Sequence, residues 1–427
     1  MSGQDTIFAL SSGQPPAAVS VIRISGCRAH EAGRRIAGTL PPPRTAALRE
    51  LRDPGSGELL DQSLVIRFDS PASATGEDIV EFQCHGGRAI VDSIIAALTS
   101  LEGLRSAGPG EFTRRAFENG RIDLTEAEGL ADLIEAETQS QRKAAIALAE
   151  GGLRKQVAEW QARLLALSAE AERSIDYDEE DGDVASALSI DCARLGRELQ
   201  EWLDRPPVER LKDGIRVVVA GPPNSGKSSL LNAIAGEERA IVTDIPGTTR
   251  DHIEVPLALD GVPLVLTDTA GLRDSTDQVE MIGVARTTRL IEGADILAWL
   301  GSPDEIPDHP MAILVHSKAD LAELGSVPES ALAVSALSGQ GLTELLERII
   351  NLARTLLPGE GAVALNRRQR HHIEEATRAL SNASNSSDIV VVAEVLRLAR
   401  SAFDRLTGRT GVEDVLDALF SRFCLGK

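Results

Sequence analysis

The run Gly221-Pro-Pro-Asn-Ser-Gly226-Lys227-Ser228-Ser229 is the part of the chain best equipped for chemistry. Glycines let a backbone wrap around an anion, so that successive N–H groups point inward at phosphate oxygens. The helix predicted over Ser228–Ala235 adds a favourable field for negative charge. In such a loop Lys227 neutralises the β- and γ-phosphates of a nucleoside triphosphate, and the Ser228 hydroxyl ligates Mg²⁺. By itself the run could be a glycine-rich turn. The strand predicted before it and the helix after it favour the phosphate reading.

Three more motifs follow in order, each after a predicted strand. In Asp268-Thr269-Ala270-Gly271 the carboxylate is placed to hold a water of the Mg²⁺ shell, and the Gly271 N–H faces the γ-phosphate. In Ser317-Lys318-Ala319-Asp320 the Asp320 carboxylate would accept two hydrogen bonds from the N1–H and N2–H₂ edge of guanine. Adenine lacks that donor pair, so Asp320 selects GTP over ATP. The backbone of Ser335-Ala336-Leu337 covers the base. Any one of these motifs means little; all four in order at strand ends outweigh coincidence.

The segment Thr243-Asp244-Ile245-Pro246-Gly247-Thr248-Thr249-Arg250-Asp251 lies between the first two motifs and is rich in hydroxyls. It reads as a switch loop, one Thr of which completes the Mg²⁺ shell. Ras-like proteins place a Gln just after the DTAG glycine to orient the attacking water. Leu272 stands there and can neither donate nor accept, which leaves Arg273, Asp274, Asp277 and Glu280 as candidates.

The elements that must hold these groups fall into regions. With 427 residues the chain is long for one domain. Up to about residue 116, short strands (Val19–Ile24, Ser63–Phe68, Ile79–Gln83) and a helix over Ile90–Leu101 predict a small α+β domain. From Leu124 apolar residues recur at helical spacing, with Thr125 as cap and Glu128 completing a capping box. An acidic loop at Asp176–Asp183 and a helix over Asp191–Leu203 follow, closed by Pro206-Pro207. Residues 213–357 alternate strand and helix, with strands at Ile215–Ala220, His252–Leu259, Val262–Thr267, Asp295–Leu300, Met311–Ser317 and Ala331–Val334. Asp260-Gly261 makes a hairpin, so a mostly parallel sheet carries one antiparallel edge. From Asn366 the texture is helical again. The two helical stretches are expected to pack together. The expected plan is therefore 1–116 α+β, 117–212 helical, 213–357 Ras-like α/β and 358–427 helical, with the α/β domain inserted into the helical one.

Charge and composition exclude some roles. The net charge of −21 argues against a protein coated in phosphate-binding surface. Arg114-Arg115 with Arg121, and Arg367-Arg368 with Arg370, are local basic patches that also read as ordinary solvated charges. Four scattered cysteines without a CxxC pair argue against a cysteine zinc site or disulfide framework, and for a reducing cytoplasm. No apolar run is long enough to span a bilayer, and the N-terminus lacks a secretory pattern.

Beyond the nucleotide motifs, the chain resembles the bacterial and organellar tRNA-modification GTPases called MnmE or TrmE. The likeness rests on Ile22-Arg23-Ile24-Ser25-Gly26, Thr75-Gly76-Glu77-Asp78, His85-Gly86-Gly87, Pro109-Gly110-Glu111-Phe112, Arg121-Ile122-Asp123-Leu124, Thr243–Asp251, Asp268–Arg273 and Phe423-Cys424-Leu425-Gly426-Lys427. It implies addition of an aminomethyl-type group at C5 of the wobble uridine of certain tRNAs. An FAD-dependent partner, a formyl-tetrahydrofolate derivative on the N-terminal domain and a homodimer formed by that domain are implied with it. GTP and potassium then pair the G domains and activate hydrolysis.

Carried over by motif, the resemblance puts folate contacts at Arg23, Glu77, Arg121 and Lys427, with Arg121 standing where the family usually has Lys. Potassium ligands fall on Asn224, Thr243, Ile245 and Thr248, Mg²⁺ on Ser228 and Thr249, and the water-orienting carboxylate on Glu280. Ser317 replaces the family's Asn; serine is too short both to make that residue's base contact and to brace the loop, so weaker GTP binding is expected. Cys424 fits a prenylation signal poorly and reads as a thiol packing the chain end. The rival function is a regulatory GTPase of ribosome assembly, disfavoured because such factors carry a basic RNA-binding module.

Overall fold

The computed structural model of the chain describes residues 5–177, 181–236, 240–242, 254–269, 287–321, 327–328, 330–359, 361–384, 386, 388–410, 413–423 and 426. Two compact units are present: Met1–Ala131 with Asp404–Lys427, and Asp132–Phe403.

In the first unit, strands β1 (Thr6–Leu10), β2 (Ala17–Ser25), β3 (Ala47–Arg52), β4 (Leu59–Phe68), β5 (Ile79–Gly86) and β6 (Leu104–Ser106) form one sheet in the order β3-β4-β5-β2-β1-β6. Alternation along β2 and β5 sends Ile22, Ile24, Val80, Phe82 and Cys84 to one face. Helices α1 (Ala29–Ala37) and α2 (Arg88–Thr99) cover that face with Ile36, Ile94 and Leu98. The expected strands fall within β2, β4 and β5, and the expected helix overlaps α2, which begins two residues earlier and ends at Thr99, two residues short of Leu101. Strands β1, β3 and β6 were not anticipated. Ala47–Arg52 carries three charged residues, Arg49, Glu50 and Arg52, because it is a sheet edge of which half faces water, and Leu104–Ser106 is too short to show a period.

Helices α3 (Glu111–Glu118) and α4 (Leu124–Glu135) pack with the C-terminal helix Glu413–Phe420 around Leu124, Ala127, Leu416, Leu419 and Phe420. Gly110 permits that approach: with φ +65 its hypothetical Cβ would lie 2.5 Å from the Phe420 carbonyl oxygen. The chain end therefore belongs with the first unit. The cap of α4 lies two residues before the expected one. Asp123 Oδ1 accepts from the Glu126 N–H at 2.9 Å, and Glu126 Oε2 accepts from the Asp123 N–H at 2.8 Å. Thr125 and Glu128 are buried helix residues instead.

In the second unit the expected continuous helical run is three helices. α4 is followed by α5 (Gln139–Ala149), opened by a Thr138/Gln141 capping box, and by α6 (Gly152–Tyr177) after the left-handed Gly151. Helix α7 (Asp181–Leu203) starts ten residues earlier than Asp191, taking in part of the acidic loop. The helix Arg367–Ser384 packs along α7, and Trp160 of α6 stacks on Phe403 at 5.6 Å and meets Trp202 edge-on at 5.4 Å. The helices before and after the α/β segment thus share one core. After the short α8 (Glu209–Asp213) come β7 (Ile215–Ala220), α9 (Lys227–Ala235), β8 (Ala240–Val242), β9 (Glu254–Leu259), β10 (Val262–Asp268), β11 (Ile296–Trp299), β12 (Ala312–Ser317) and β13 (Leu332–Val334).

These strands order as β13-β12-β11-β7-β10-β9-β8. Only β9 runs against its neighbours. Strand β8 flanks it, so the antiparallel strand is not the edge that was expected. The hairpin turns at Asp260 (φ +47) and Gly261 (φ +78), both left-handed as a two-residue turn requires. The sheet is buried on both sides: Val217 and Val219 pack on α9 and the helix Leu342–Leu356, Val218 and Ala220 on the opposite face. Among the described residues no helix is long and apolar enough to cross a membrane.

Candidate functional site

The phosphate-loop motif sits where β7, the central strand, ends and α9 begins. Gly221 has φ +150, and a Cβ there would lie 2.9 Å from the Leu300 carbonyl carbon, so only glycine can turn so close to the neighbouring strand. Asn224 (φ +61) and Gly226 (φ +92) are left-handed, which turns successive N–H groups towards a common centre. Buried Lys227 donates through Nζ to the carbonyls of Gly221 at 3.1 Å and Pro222 at 2.7 Å, holding its charge across the loop.

Ser228 Oγ donates to Asp268 Oδ2 at 2.5 Å. Asp268 closes β10 and is 2% exposed. The Thr269 hydroxyl donates to the Val219 carbonyl at 3.1 Å and ties the two strand ends together. Two hard oxygens at one point suit Mg²⁺, with Ser228 as ligand and Asp268 behind a water. When bound there, the ion supplies positive charge to the phosphates.

On the base side, Ser317 Oγ donates to the Ser225 carbonyl at 2.5 Å and Lys318 Nζ to the Asn224 carbonyl at 2.7 Å. Short as it is, Ser317 does brace the phosphate loop, because β12 ends close enough for a hydroxyl to span the gap. Asp320 lies in a 3₁₀ turn, Ala319–Leu321. With Gly226, Ser229, Lys318, Leu321, Ala336 and Leu337 it lines a cavity of about 220 Å³. Exposed Leu321 and Leu337 provide apolar walls for a flat ring. Ser335 acts indirectly: its Oγ accepts from the Ser338 N–H at 3.2 Å, shaping the turn that presents Ala336 and Leu337.

A second cluster lies in the first unit. Arg23 on β2 faces Glu81 on β5, donates to it at 2.8 Å, and lies 5.6 Å from the centre of the Phe112 ring. Glu77 accepts from Ser25 Oγ at 2.6 Å and from Arg115 at 3.1 Å. Arg115, 4% exposed, also pairs with Asp5 at 2.8 Å and Glu111 at 3.2 Å. Both Arg23 and Glu77 are thereby held against α3. Left-handed Gly76 leaves room for the Arg121 stem, 3.2 Å from its hypothetical Cβ.

Burial works against the charge of Glu111, but hydrogen bonds from Arg105 and the Gly108 N–H, with the charges of Arg105 and Arg115, hold its carboxyl below the ordinary range. For Asp5 burial is likewise outweighed by Arg105 and Arg115. Reading Arg115 as part of a surface patch was a misreading, since it is the buried hub of three carboxylates. Arg114 makes surface pairs with Glu118 and Asp417, whereas half-buried Arg370 donates to the carbonyls of Leu203 and Arg205. Burial raises the Cys84 and Cys192 thiols to about 11, which fits packing rather than reactivity.

Residues 124–424 match the profile of the MnmE helical domain, and residues 6–121 that of the GTP-binding protein TrmE N-terminus. The chain belongs to the MnmE family. A relative from Erythrobacter litoralis named tRNA modification GTPase MnmE is 51% identical over 99% of this chain and 100% of its own length. Relatives of the same name from Novosphingobium aromaticivorans (50%, 99% of this chain, all of its own) and Zymomonas mobilis (48%, 99% of this chain, all of its own) agree end to end. Among solved structures the G domain of the T. maritima FeoB iron transporter is 27% identical over 33% of this chain and 98% of its own, at a TM-score of 0.23. Of the candidate residues, Thr243–Thr249, Ala270, Gly271, Glu280 and Lys427 lie outside the described residues, as do Leu272 and Cys424.

Proposed function

We propose that this protein binds and hydrolyses GTP in the service of tRNA modification. The observation that carries the reading is the convergence of Lys227, the Ser228–Asp268 pair and the Asp320 cavity at the ends of β7, β10 and β12, in a chain alike over its full length to relatives named for that activity. Gly226 and Lys227 wrap the phosphates, Ser228 and Asp268 hold Mg²⁺, and Asp320 reads guanine. The finer reaction is addition of a carboxymethylaminomethyl or aminomethyl group at C5 of the wobble uridine, with an FAD-dependent partner in a heterotetramer and a formyl-tetrahydrofolate-type donor. Arg23, Glu77, Arg121 and Lys427 take the folate: cationic groups suit its glutamate tail, and Glu77 suits the donor edge of the pterin. Hydrolysis is activated by potassium on Asn224, Thr243, Ile245 and Thr248, with Thr249 completing the Mg²⁺ shell, Glu280 orienting the water and two chains pairing as a homodimer. The place of work is the cytoplasm. The domain plan proposed is 1–116, 117–212, 213–357 and 358–427. The test is mass analysis of tRNA nucleosides from cells lacking the protein, in which the wobble-modified uridines should disappear. Their persistence would exclude the reading.

A further inference from the structure

The base end of the nucleotide cavity offers a purine fewer hydrogen-bond donors than its lining suggests. Among the described residues its polar side chains are Ser229, Ser317, Lys318 and Asp320. A serine hydroxyl has a single proton to donate, and that of Ser317 goes to the Ser225 carbonyl at 2.5 Å. Lys318 Nζ is tethered to the Asn224 carbonyl at 2.7 Å, which draws its charge to the phosphate loop. The carbon stems of both residues face the loop as well: Ser317 Cβ and Lys318 Cε lie 3.8 and 3.9 Å from where a Gly226 Cβ would stand. Ser229 is in the first turn of α9, next to Ser228, and so belongs to the phosphate end. The Ser225 hydroxyl is buried and makes no hydrogen bond, but Ser225 does not line the cavity.

We propose that this site reads guanine through its N1/N2 edge alone and is indifferent to N7, so that 7-deazaguanine nucleotides bind as guanine nucleotides do. For this to follow, Asp320 must hold the guanine, as in the function proposed above. A guanine whose N1–H and N2–H₂ lie on Asp320 turns N7 to the far side of the ring. N7 is an acceptor and needs a donor. An ionised Asp320 only accepts. The Ser317 oxygen keeps its lone pairs but has no second proton, and two acceptors do not bond to each other. The turn at Ala336 and Leu337 brings apolar side chains to the ring and leaves only its backbone for O6.

Residue 317 decides the outcome. A carboxamide carries two N–H donors and a carbonyl, so an asparagine there could brace the loop and serve the base together. A hydroxyl can donate to only one of them, and in this chain the loop has it.

The test uses the full-length chain with Mg²⁺ and nucleoside diphosphates, which it does not hydrolyse, and measures GDP, 7-deazaguanosine diphosphate and inosine diphosphate by calorimetry. GDP and the 7-deaza analogue should bind within about twofold of each other, whereas a site that hydrogen-bonds N7 would lose about tenfold with the analogue. Inosine diphosphate, which lacks the N2 amino group, should bind about tenfold or more below GDP. Ser317→Asn should create a preference of about tenfold for GDP over the 7-deaza analogue. Ser317→Ala, the check if that variant folds poorly, should weaken both nucleotides alike. Tenfold weaker binding of the analogue to wild type, with inosine diphosphate still rejected, would overturn the indifference to N7 and leave Asp320 in place. A loss confined to GDP in Ser317→Ala would overturn it too, by showing that the hydroxyl reads N7. Inosine diphosphate binding as tightly as GDP would remove Asp320 from the base site and the proposal with it.

Discussion

The nucleotide site and the Arg115 cluster are built on opposite principles. At the first, each functional group sits in a short contiguous motif at a strand end, and much of the binding surface is backbone, as in the left-handed steps at Asn224 and Gly226. At the second, one buried guanidinium meets Glu111, one turn away on its own helix, and two partners distant in sequence, Asp5 and Glu77. A site made of backbone and local spacing tolerates change around it. One made of long-range ion pairs fails when its hub is removed. The contrast predicts that lesions at the first alter nucleotide chemistry with little effect on stability, and that lesions at the second do the reverse.

The largest effect is expected at Asp320. Asp320→Asn reverses the hydrogen-bonding pattern offered to the base, and a site built around such bonds discriminates by about 10⁴ or more. Competition between GTP and xanthosine triphosphate should turn in favour of the xanthine nucleotide while the thermal midpoint stays put; unchanged GTP preference would remove Asp320 from the base site.

Next comes the monovalent ion. If potassium supplies the charge that an arginine finger gives elsewhere, turnover in matched potassium and sodium buffers should differ by about 10³, the lower bound of a finger's effect. Asn224→Ala should erase the difference and keep GTP binding. Equal rates in the two salts for wild type would redirect the search to Arg250 and Arg273.

The reverse lesion is Arg115→Ala. It strands three partly exposed carboxylates, two of which keep Arg105, so the loss should fall below the ~3–5 kcal/mol of a fully buried pair. The first unit should unfold at markedly lower denaturant, whereas GTP affinity should be unchanged. A parallel fall in GTP affinity would blur the comparison between the two sites.

Ser317→Asn should tighten GTP about tenfold, the worth of roughly one extra hydrogen bond. Because Ser317 already holds the Ser225 carbonyl, the gain must come from the base alone. Calorimetry showing no gain would mean that the loop brace was the whole role.

The smallest effect is on acidity. The folded values of Glu111 and Asp5 are lowered, so their stabilisation is complete above the ordinary values of 4.5 and 3.8 and is lost as pH falls through the lowered ones. Stability of the first unit should therefore decline below about pH 4.5, and less steeply in Glu111→Gln. An identical acid limb in that variant would show that other groups govern it.

By itself the sequence determined what depends on neighbours along the chain. The phosphate loop, Asp268, Asp320 and the strands that aim them were legible because a turn, a strand end and a helix start are local, and the Asp260-Gly261 hairpin was read for the same reason. The likeness to MnmE was legible too, through signatures scattered from Arg23 to Lys427. Other features waited for tertiary structure. Strand β3 looked polar because half of it faces water, and β6 because three residues show no period. The cap of α4 is Asp123, not Thr125, since burial of Thr125 in the helix core overrides its capping preference. Whether Arg115 is a surface charge or a buried hub and whether Ser317 reaches the phosphate loop depend on distances between segments. Periodicity carries no such distances, because they are set by how the sheets and helices pack.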